Sequence, residues 1–243
     1  MPDARATVAV VLAVAIALLG APAAHAEAPG PTPGSAALGA RPAPPRPVVH
    51  AVASRYVEHV STRDRVVFLT IDDGVVRDPA FLDLERRQHL PVTLFLTDSV
   101  LRGTHVEYFR ALQAAGAVIE NHTLTHPVLT KVAAPELRRQ LCGTQQSFTA
   151  LFGRTPVLMR PPYGVHNPAV IATALACGDR AVVGWDAVMP PTGRLQTWGG
   201  TGVLHSGDIV LMHFLTGLAQ QVERLQRLVR GEHLRFALLE NYV

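Results

Sequence analysis

Val66-Val67-Phe68-Leu69-Thr70-Ile71-Asp72-Asp73-Gly74 is a short apolar run, rich in β-branched residues, that stops on two carboxylates and a glycine. A strand that is apolar throughout, rather than alternately apolar and polar, is buried on both faces, and such strands are typically parallel and covered by helices. The same reading recurs downstream. Pro91 to Thr97, Ala117 to Glu120, Val157 to Met159, Ala181 to Trp185, Asp208 to His213 and Phe236 to Leu239 are all strand-like. Between them, residues 78–88, 105–115, 135–152, 168–177 and 217–230 carry helical patterns. Gly116 and Gly153 stand where C-caps are expected, Pro135 lies in a first turn, and Asn167 precedes a helix as an N-cap. Strand and helix alternate through one compact domain. The pattern predicts an α/β fold: a distorted, seven-stranded (β/α) barrel, with a doubly wound open sheet as the alternative. In both, sites are built at the C-terminal ends of the strands, and the polar motifs of this chain all fall there.

The segments before this domain differ in composition. Met1 to Arg5 form a short n-region, Val8 to Gly20 are almost wholly apolar, and Ala24-His25-Ala26 is a small-x-small cleavage site. Residues 1–26 are therefore expected to be a secretory signal, leaving no membrane span in the mature chain; because Asp3 weakens the n-region charge, an uncleaved anchor is the alternative. Residues 27–48, with prolines 29, 31, 33, 42, 44, 45 and 47, cannot build a core and read as a semi-rigid linker. Residues 49–243 form the folded domain, expected to be a secreted, extracellular monomer, with association with the cell wall open to it. Against 19 acidic side chains stand 22 basic ones, scattered without aromatic interleaving, so nucleic acid is not an expected partner. Cys142 and Cys177 are the only cysteines. In an oxidising compartment they are expected to form a disulfide between neighbouring helices, worth roughly 3 kcal/mol; two free thiols are the alternative.

The site candidates come from the strand ends. His122 and His126 are four apart, and that spacing can put both imidazoles on one side of a turn. A carboxylate from another strand, best Asp73, would complete a two-His, one-carboxylate set with positions open to water and substrate. Zinc is the expected divalent metal, with cobalt or iron as alternatives. Asp72 and Asp73 are adjacent and cannot both point the same way from a strand end. One can hold the metal while the other serves as general base toward the water there. Arg160 precedes Pro161-Pro162, a rigid loop from which a guanidinium can keep Asp72 ionised. The Tyr163 N–H could meet an oxyanion, and His213 could protonate a leaving group.

Together these segments resemble the polysaccharide deacetylase family, carbohydrate esterase family four. Thr70-Ile71-Asp72-Asp73-Gly74 is similar to its first motif, with Ile for Phe; His122-Thr123-Leu124-Thr125-His126 matches the second and Arg160-Pro161-Pro162-Tyr163-Gly164 the third. Leu211-Met212-His213 matches the fifth. The resemblance runs from about Arg65 to the C-terminus. It implies a distorted (β/α) barrel and metal-dependent removal of acetyl groups from sugars. It also implies Asp72 as base, Asp73, His122 and His126 as ligands, Tyr163 as oxyanion donor and His213 as acid.

The fourth motif departs from the family pattern. Trp185 is followed at once by Asp186, while Val188 and Pro191 stand where further aspartates are expected. Either Asp186 substitutes for the carboxylate that tunes the catalytic histidine, or His213 has none. Tyr163, Trp185, Asp186 and Leu211 are the candidates for contact with substrate, and core packing is an equal reading of Trp185. The expected activity is deacetylation of an N-acetylated glycan, chitin oligomers or peptidoglycan. An O-acetyl-glycan (acetylxylan) esterase and a carbohydrate-binding pseudoenzyme are the alternatives. A non-haem iron oxygenase is disfavoured, because His122 lacks the nearby carboxylate that class uses.

Overall fold

The computed structural model describes residues 55–101, 103 and 105–243. The predicted signal segment 1–26, the linker 27–48 and the first residues of the domain lie outside the described residues. The elements are β1 (Tyr56–Val57), β2 (Val66–Asp73), α1 (Pro79–Gln88), β3 (Val92–Leu96), α2 (His105–Ala115), β4 (Val118–Asn121), α3 (Ala134–Phe152) and β5 (Leu158–Met159). They continue with α4 (Pro168–Cys177), β6 (Ala181–Val183), β7 (Ala187–Val188), β8 (Gln196–Thr197), β9 (Ile209–His213), α5 (Leu218–Gly231) and β10 (Arg235–Phe236). The sheet order is β1-β6-β5-β4-β3-β2-β9-β7-β8, with β10 on β2. Pairing is parallel except between β7 and β8. The sheet curls, and the chain after β1 approaches its far side through a His59–Asp208 bridge. This is the expected distorted barrel, and six of the seven predicted strands are present; the seventh, expected over 236–239, is Arg235–Phe236, and Leu239–Asn241 form a 3-10 turn instead. The three additional ones, β1, β7 and β8, span two residues each and carry no apolar run long enough to announce a strand.

The central strand β2 shows how the sequence positions the site. Its residues Val67, Leu69 and Ile71 pack in one cluster with Phe81, Leu84, Phe109 and Leu225 of the surrounding helices. Val66 and Phe68 face the other way, into a cluster with Phe95, Leu158, Val183 and Ile209 that fills the barrel. Because successive side chains alternate, Thr70 and Asp72 share the inward face with Phe68. Register places Asp72 beside Phe95 on β3 and His213 on β9. The barrel floor is thus apolar and its C-terminal mouth polar.

The helices are capped as their sequences require. Asp78 accepts from the Ala80 N–H, Asn167 accepts from the Val170 N–H, and Gly153 ends α3 in the left-handed region at φ 68°. Cys142 and Cys177 are bonded, tying α3 to α4 across a sequence separation of 35. Closing a loop of that length restricts the unfolded chain by about 4 kcal/mol. Replacing both cysteines by serine is expected to lower stability by that order in denaturant unfolding, with the slope of the transition reporting a less constrained unfolded state. An unchanged midpoint would show that the bond contributes nothing to the fold.

Glu85 on α1 is fully buried, and neither carboxylate oxygen makes a hydrogen bond of normal geometry. Burial, only slightly opposed by the Leu90 N–H, pushes its carboxyl up to about 7. A folded-state value above the ordinary one means that the folded protein holds the proton more tightly than the unfolded chain. Stability is therefore full below about pH 4.5 and falls as pH rises toward 7, by up to about 3 kcal/mol. Glu85→Gln is expected to raise the melting temperature at pH 8 and to leave it nearly unchanged at pH 4.5. Equal melting temperatures at pH 8 would exclude a buried charge penalty at this position.

Candidate active site

Asp73, His122 and His126 converge at the mouth of the barrel. The Nε2 atoms of His122 and His126 are 3.2 Å apart, and Asp73 Oδ1 lies 3.4 Å from the first and 3.3 Å from the second. A four-coordinate zinc with bonds of about 2.0–2.1 Å sets its ligand atoms roughly 3.3 Å from one another, so the three donors fit that ion. Each reaches its place by a different device. Asp73 ends β2 at φ 77°, which turns its carboxylate to the rim while Asp72 stays on the inward face. His122 continues β4, and its Nδ1–H donates to the Arg160 carbonyl at 2.7 Å, which leaves Nε2 as the ligand atom. His126 comes back over it through a tight turn, with Thr123 at φ 72° and His126 at φ 60°.

That turn is held from outside. Thr123 Oγ1 accepts from the His126 N–H, Asn121 Oδ1 accepts from the Thr123 N–H, and Gln140 Oε1 on α3 accepts from the Thr125 N–H. Among the described residues six non-glycine positions have positive φ, and four of them, Asp73, Thr123, His126 and Tyr163, are at this site. Backbone held in an unfavoured region at several adjoining residues is a mark of a constrained functional site. Charge agrees with geometry. Burial would raise the Asp73 carboxyl, but hydrogen bonds from His122 and His126 outweigh it and hold it well below the usual range. Burial would lower the His122 imidazole, but Asp72 and then Asp73 raise it. The pocket favours positive charge between its two carboxylates.

Asp72 sits behind this trio, its Oδ2 3.9 Å from His122 Nε2. Arg160, wholly buried, donates from Nη1 to Asp72 Oδ1 and to Thr70 Oγ1, both at 2.8 Å, and from Nη2 to the Gly184 carbonyl at 2.9 Å. Thr70 in turn donates to the Val210 carbonyl at 2.8 Å. The guanidinium carbon lies 4.3 Å from the centre of the Phe95 ring. Tyr163 follows on the rigid Pro161-Pro162 loop at φ 62°; its side chain is exposed and its ring packs edge-on against His126. No acceptor for the Tyr163 N–H occurs among the described residues.

The fourth segment is placed differently from the first three. Trp185 packs under the third motif. A Cβ at Gly164, whose φ is 70°, would lie 2.8 Å from the Trp185 ring, so only glycine permits that approach. Asp186 does not reach the site: it accepts from the Ile209 N–H at 2.8 Å and pairs with His59 at 2.7 Å. Ile209 begins the strand that His213 ends, about 13 Å away along β9. His213 is half-buried beside Asp72, and its ring makes no hydrogen bond among the described residues. Leu211 is buried, one layer below it. Thr70, Asn121 and Gln140 support the site without having been singled out as support in the sequence. Thr70 alone carried a signal, as a hydroxyl inside an apolar run two residues before Asp72.

Residues 59–182 match the sequence model of a family described as polysaccharide deacetylase. Over 230 residues the chain is 40% identical to an uncharacterized protein of Streptomyces coelicolor, with 93% of this chain and 88% of that protein aligned. It is 30% identical over 175 residues to a chitooligosaccharide deacetylase of Bradyrhizobium, covering 67% of this chain and 76% of the relative. Among solved structures it is similar in fold to a peptidoglycan N-acetylglucosamine deacetylase, with a TM-score of 0.68 and 23% identity over 81% of this chain and 96% of the other.

Proposed function

The chain belongs to the polysaccharide deacetylase family, and from that premise we propose that it is a secreted, metal-dependent hydrolase that removes acetyl groups from an N-acetylated glycan of the chitin-oligomer or peptidoglycan kind. The observation that carries this reading is the meeting of three ligand atoms 3.2–3.4 Å apart with a separate carboxylate, Asp72, immediately behind them. The relative named as a chitooligosaccharide deacetylase supports an N-acetyl substrate. Secretion rests on the leader-like residues 1–26.

Asp73, His122 and His126 would hold a divalent ion, zinc on the fit of the donor spacing. When bound, such an ion supplies Lewis acidity and makes water more acidic. The rest is done by the chain. Asp72 accepts the proton of the attacking water, held in place by the Arg160 fork. The Tyr163 N–H donates to the oxygen that gains charge as the acetyl carbon becomes tetrahedral. His213 gives a proton to the departing nitrogen, so that the C–N bond breaks as the C–O bond is kept, leaving acetate and a free amine.

The test is acetate release from N-acetylglucosamine oligomers, peptidoglycan and acetylxylan with zinc, cobalt or no added metal. Release from the first two, dependent on metal, is expected. Release from acetylxylan alone would make the chain an O-acetyl esterase. Metal binding with no release from any substrate would make it a binding protein.

A further inference from the structure

We propose that His59, Asp186 and Asp208 form a second divalent-cation site, distinct from the Asp73–His122–His126 trio, that takes a first-row ion through one imidazole nitrogen and two carboxylates. The three ligand atoms lie within 4.8 Å of one another. Each carboxylate has one oxygen tied to the backbone: Asp186 Oδ1 accepts from the Ile209 N–H and Asp208 Oδ2 from the His205 N–H, both at 2.8 Å. Their other oxygens turn to the same point. Asp186 Oδ2 is 2.7 Å and Asp208 Oδ1 3.4 Å from His59 Nδ1.

A simple ion pair accounts for only half of this. Nδ1 carries at most one hydrogen, and the shorter distance assigns it to Asp186. Asp208 is 7% exposed, yet its Oδ1 then accepts no hydrogen bond from any described residue. A carboxylate oxygen of a largely buried residue, aimed at a neighbouring carboxylate and a histidine, is placed to bind a cation. Anchoring of the second oxygen by an N–H is how ligating carboxylates are oriented in metal sites. The His59 side chain is 45% exposed, so water can complete the coordination. One imidazole with two carboxylates suits zinc, cobalt or manganese. The three ligands come from the segment after β1, the turn between β6 and β7, and the residue before β9. An ion there would fasten the β1 edge of the sheet to the strand that carries His213.

The experiment counts cobalt bound per chain after equilibrium dialysis, by elemental analysis, in the wild type, His126→Ala, His59→Ala, Asp208→Asn and the His59→Ala/His126→Ala pair. Two ions are expected in the wild type, one in each single variant and none in the double variant. Asp208→Asn keeps an acceptor for the His205 N–H and so guards against misfolding of the alanine variant. In His126→Ala, raising free cobalt is expected to raise the melting temperature, and His59→Ala should abolish that rise. One ion in the wild type, still one in His59→Ala and Asp208→Asn, would overturn the proposal. One ion in the wild type that survives His126→Ala but not His59→Ala would support this site while overturning metal binding at the deacetylase motifs.

Discussion

Asp72→Asn is expected to lower kcat/KM for deacetylation by about 10²–10⁴-fold, the range associated with loss of a positioned general base, while the protein keeps the metal held by Asp73, His122 and His126. The two halves of this expectation come from the turn at the end of β2. Asp72 faces inward with Thr70 and Phe68, whereas Asp73, at φ 77°, is rotated to the rim. Asn at position 72 retains the oxygen that receives the Arg160 Nη1–H, so the loop geometry survives, but an amide accepts no proton from water. Activity is read by acetate release and metal by elemental analysis of the same sample. A variant keeping more than about a tenth of wild-type activity would remove Asp72 from the role of base. A variant that had lost the metal would show that the two aspartates are not divided as the turn divides them.

Most of the architecture was legible because it rests on long, regular signals. Apolar runs such as Val66–Ile71 are buried on both faces whatever surrounds them, and helices α2 and α4 occupy the ranges their patterns predict, 105–115 and 168–177. Strands β1, β7 and β8 escaped because none lies in an apolar run long enough to announce a strand, each being created by a neighbour's free edge rather than by its own side chains. At the site, Asp72 and Asp73 declared themselves by being adjacent at a strand end, and the His122–His126 spacing by the turn it needs. The partners that hold them did not. Gln140 lies on α3 and reaches back fifteen residues to the Thr125 N–H, a relation set by helix docking and not by any local pattern. His59 was equally silent, since only curling of the sheet brings it to Asp186 and Asp208.

The fourth motif shows the limit most clearly. Its sequence left two readings of Asp186, and the decision lay in register. β7 runs beside β9 with Ala187 opposite Val210, so Asp186 falls at the level of Ile209. The position that faces Leu211, one layer below His213, is Val188, whose side chain cannot accept a hydrogen bond. His213 therefore stands beside Asp72 with no carboxylate hydrogen-bonded to its ring among the described residues, and its orientation is left to the strand it ends.

Arg160→Met is expected to be the most destabilising single change at the site, by about 3–5 kcal/mol, the cost of breaking a buried ion pair from one side. Arg160 is wholly buried, and its fork joins four groups from distant parts of the chain: Asp72, Thr70, the Gly184 carbonyl and the Phe95 ring. Methionine fills much of the same volume and leaves the Arg160 carbonyl in place for His122, so the loss comes from charge and hydrogen bonds rather than from a cavity. Asp72, 3% exposed, would then lose the guanidinium hydrogen-bonded to it, and a buried carboxylate stripped of that partner is costly to hold and poorly placed to receive a proton. Activity should fall with stability, by at least about tenfold in kcat/KM per 1.4 kcal/mol of lost transition-state stabilisation. Arg160→Lys separates charge from geometry. A single ammonium can neutralise Asp72 but cannot reach Thr70 and Gly184 in one plane, so stability should recover more than activity. The double variant Asp72→Asn/Arg160→Met gives the sharpest result. If the penalty is the unpaired carboxylate, neutralising it recovers stability, and the double variant melts above Arg160→Met alone. If the two losses simply add, Arg160 supports the fold through packing, and the ion pair is not what holds the base in place.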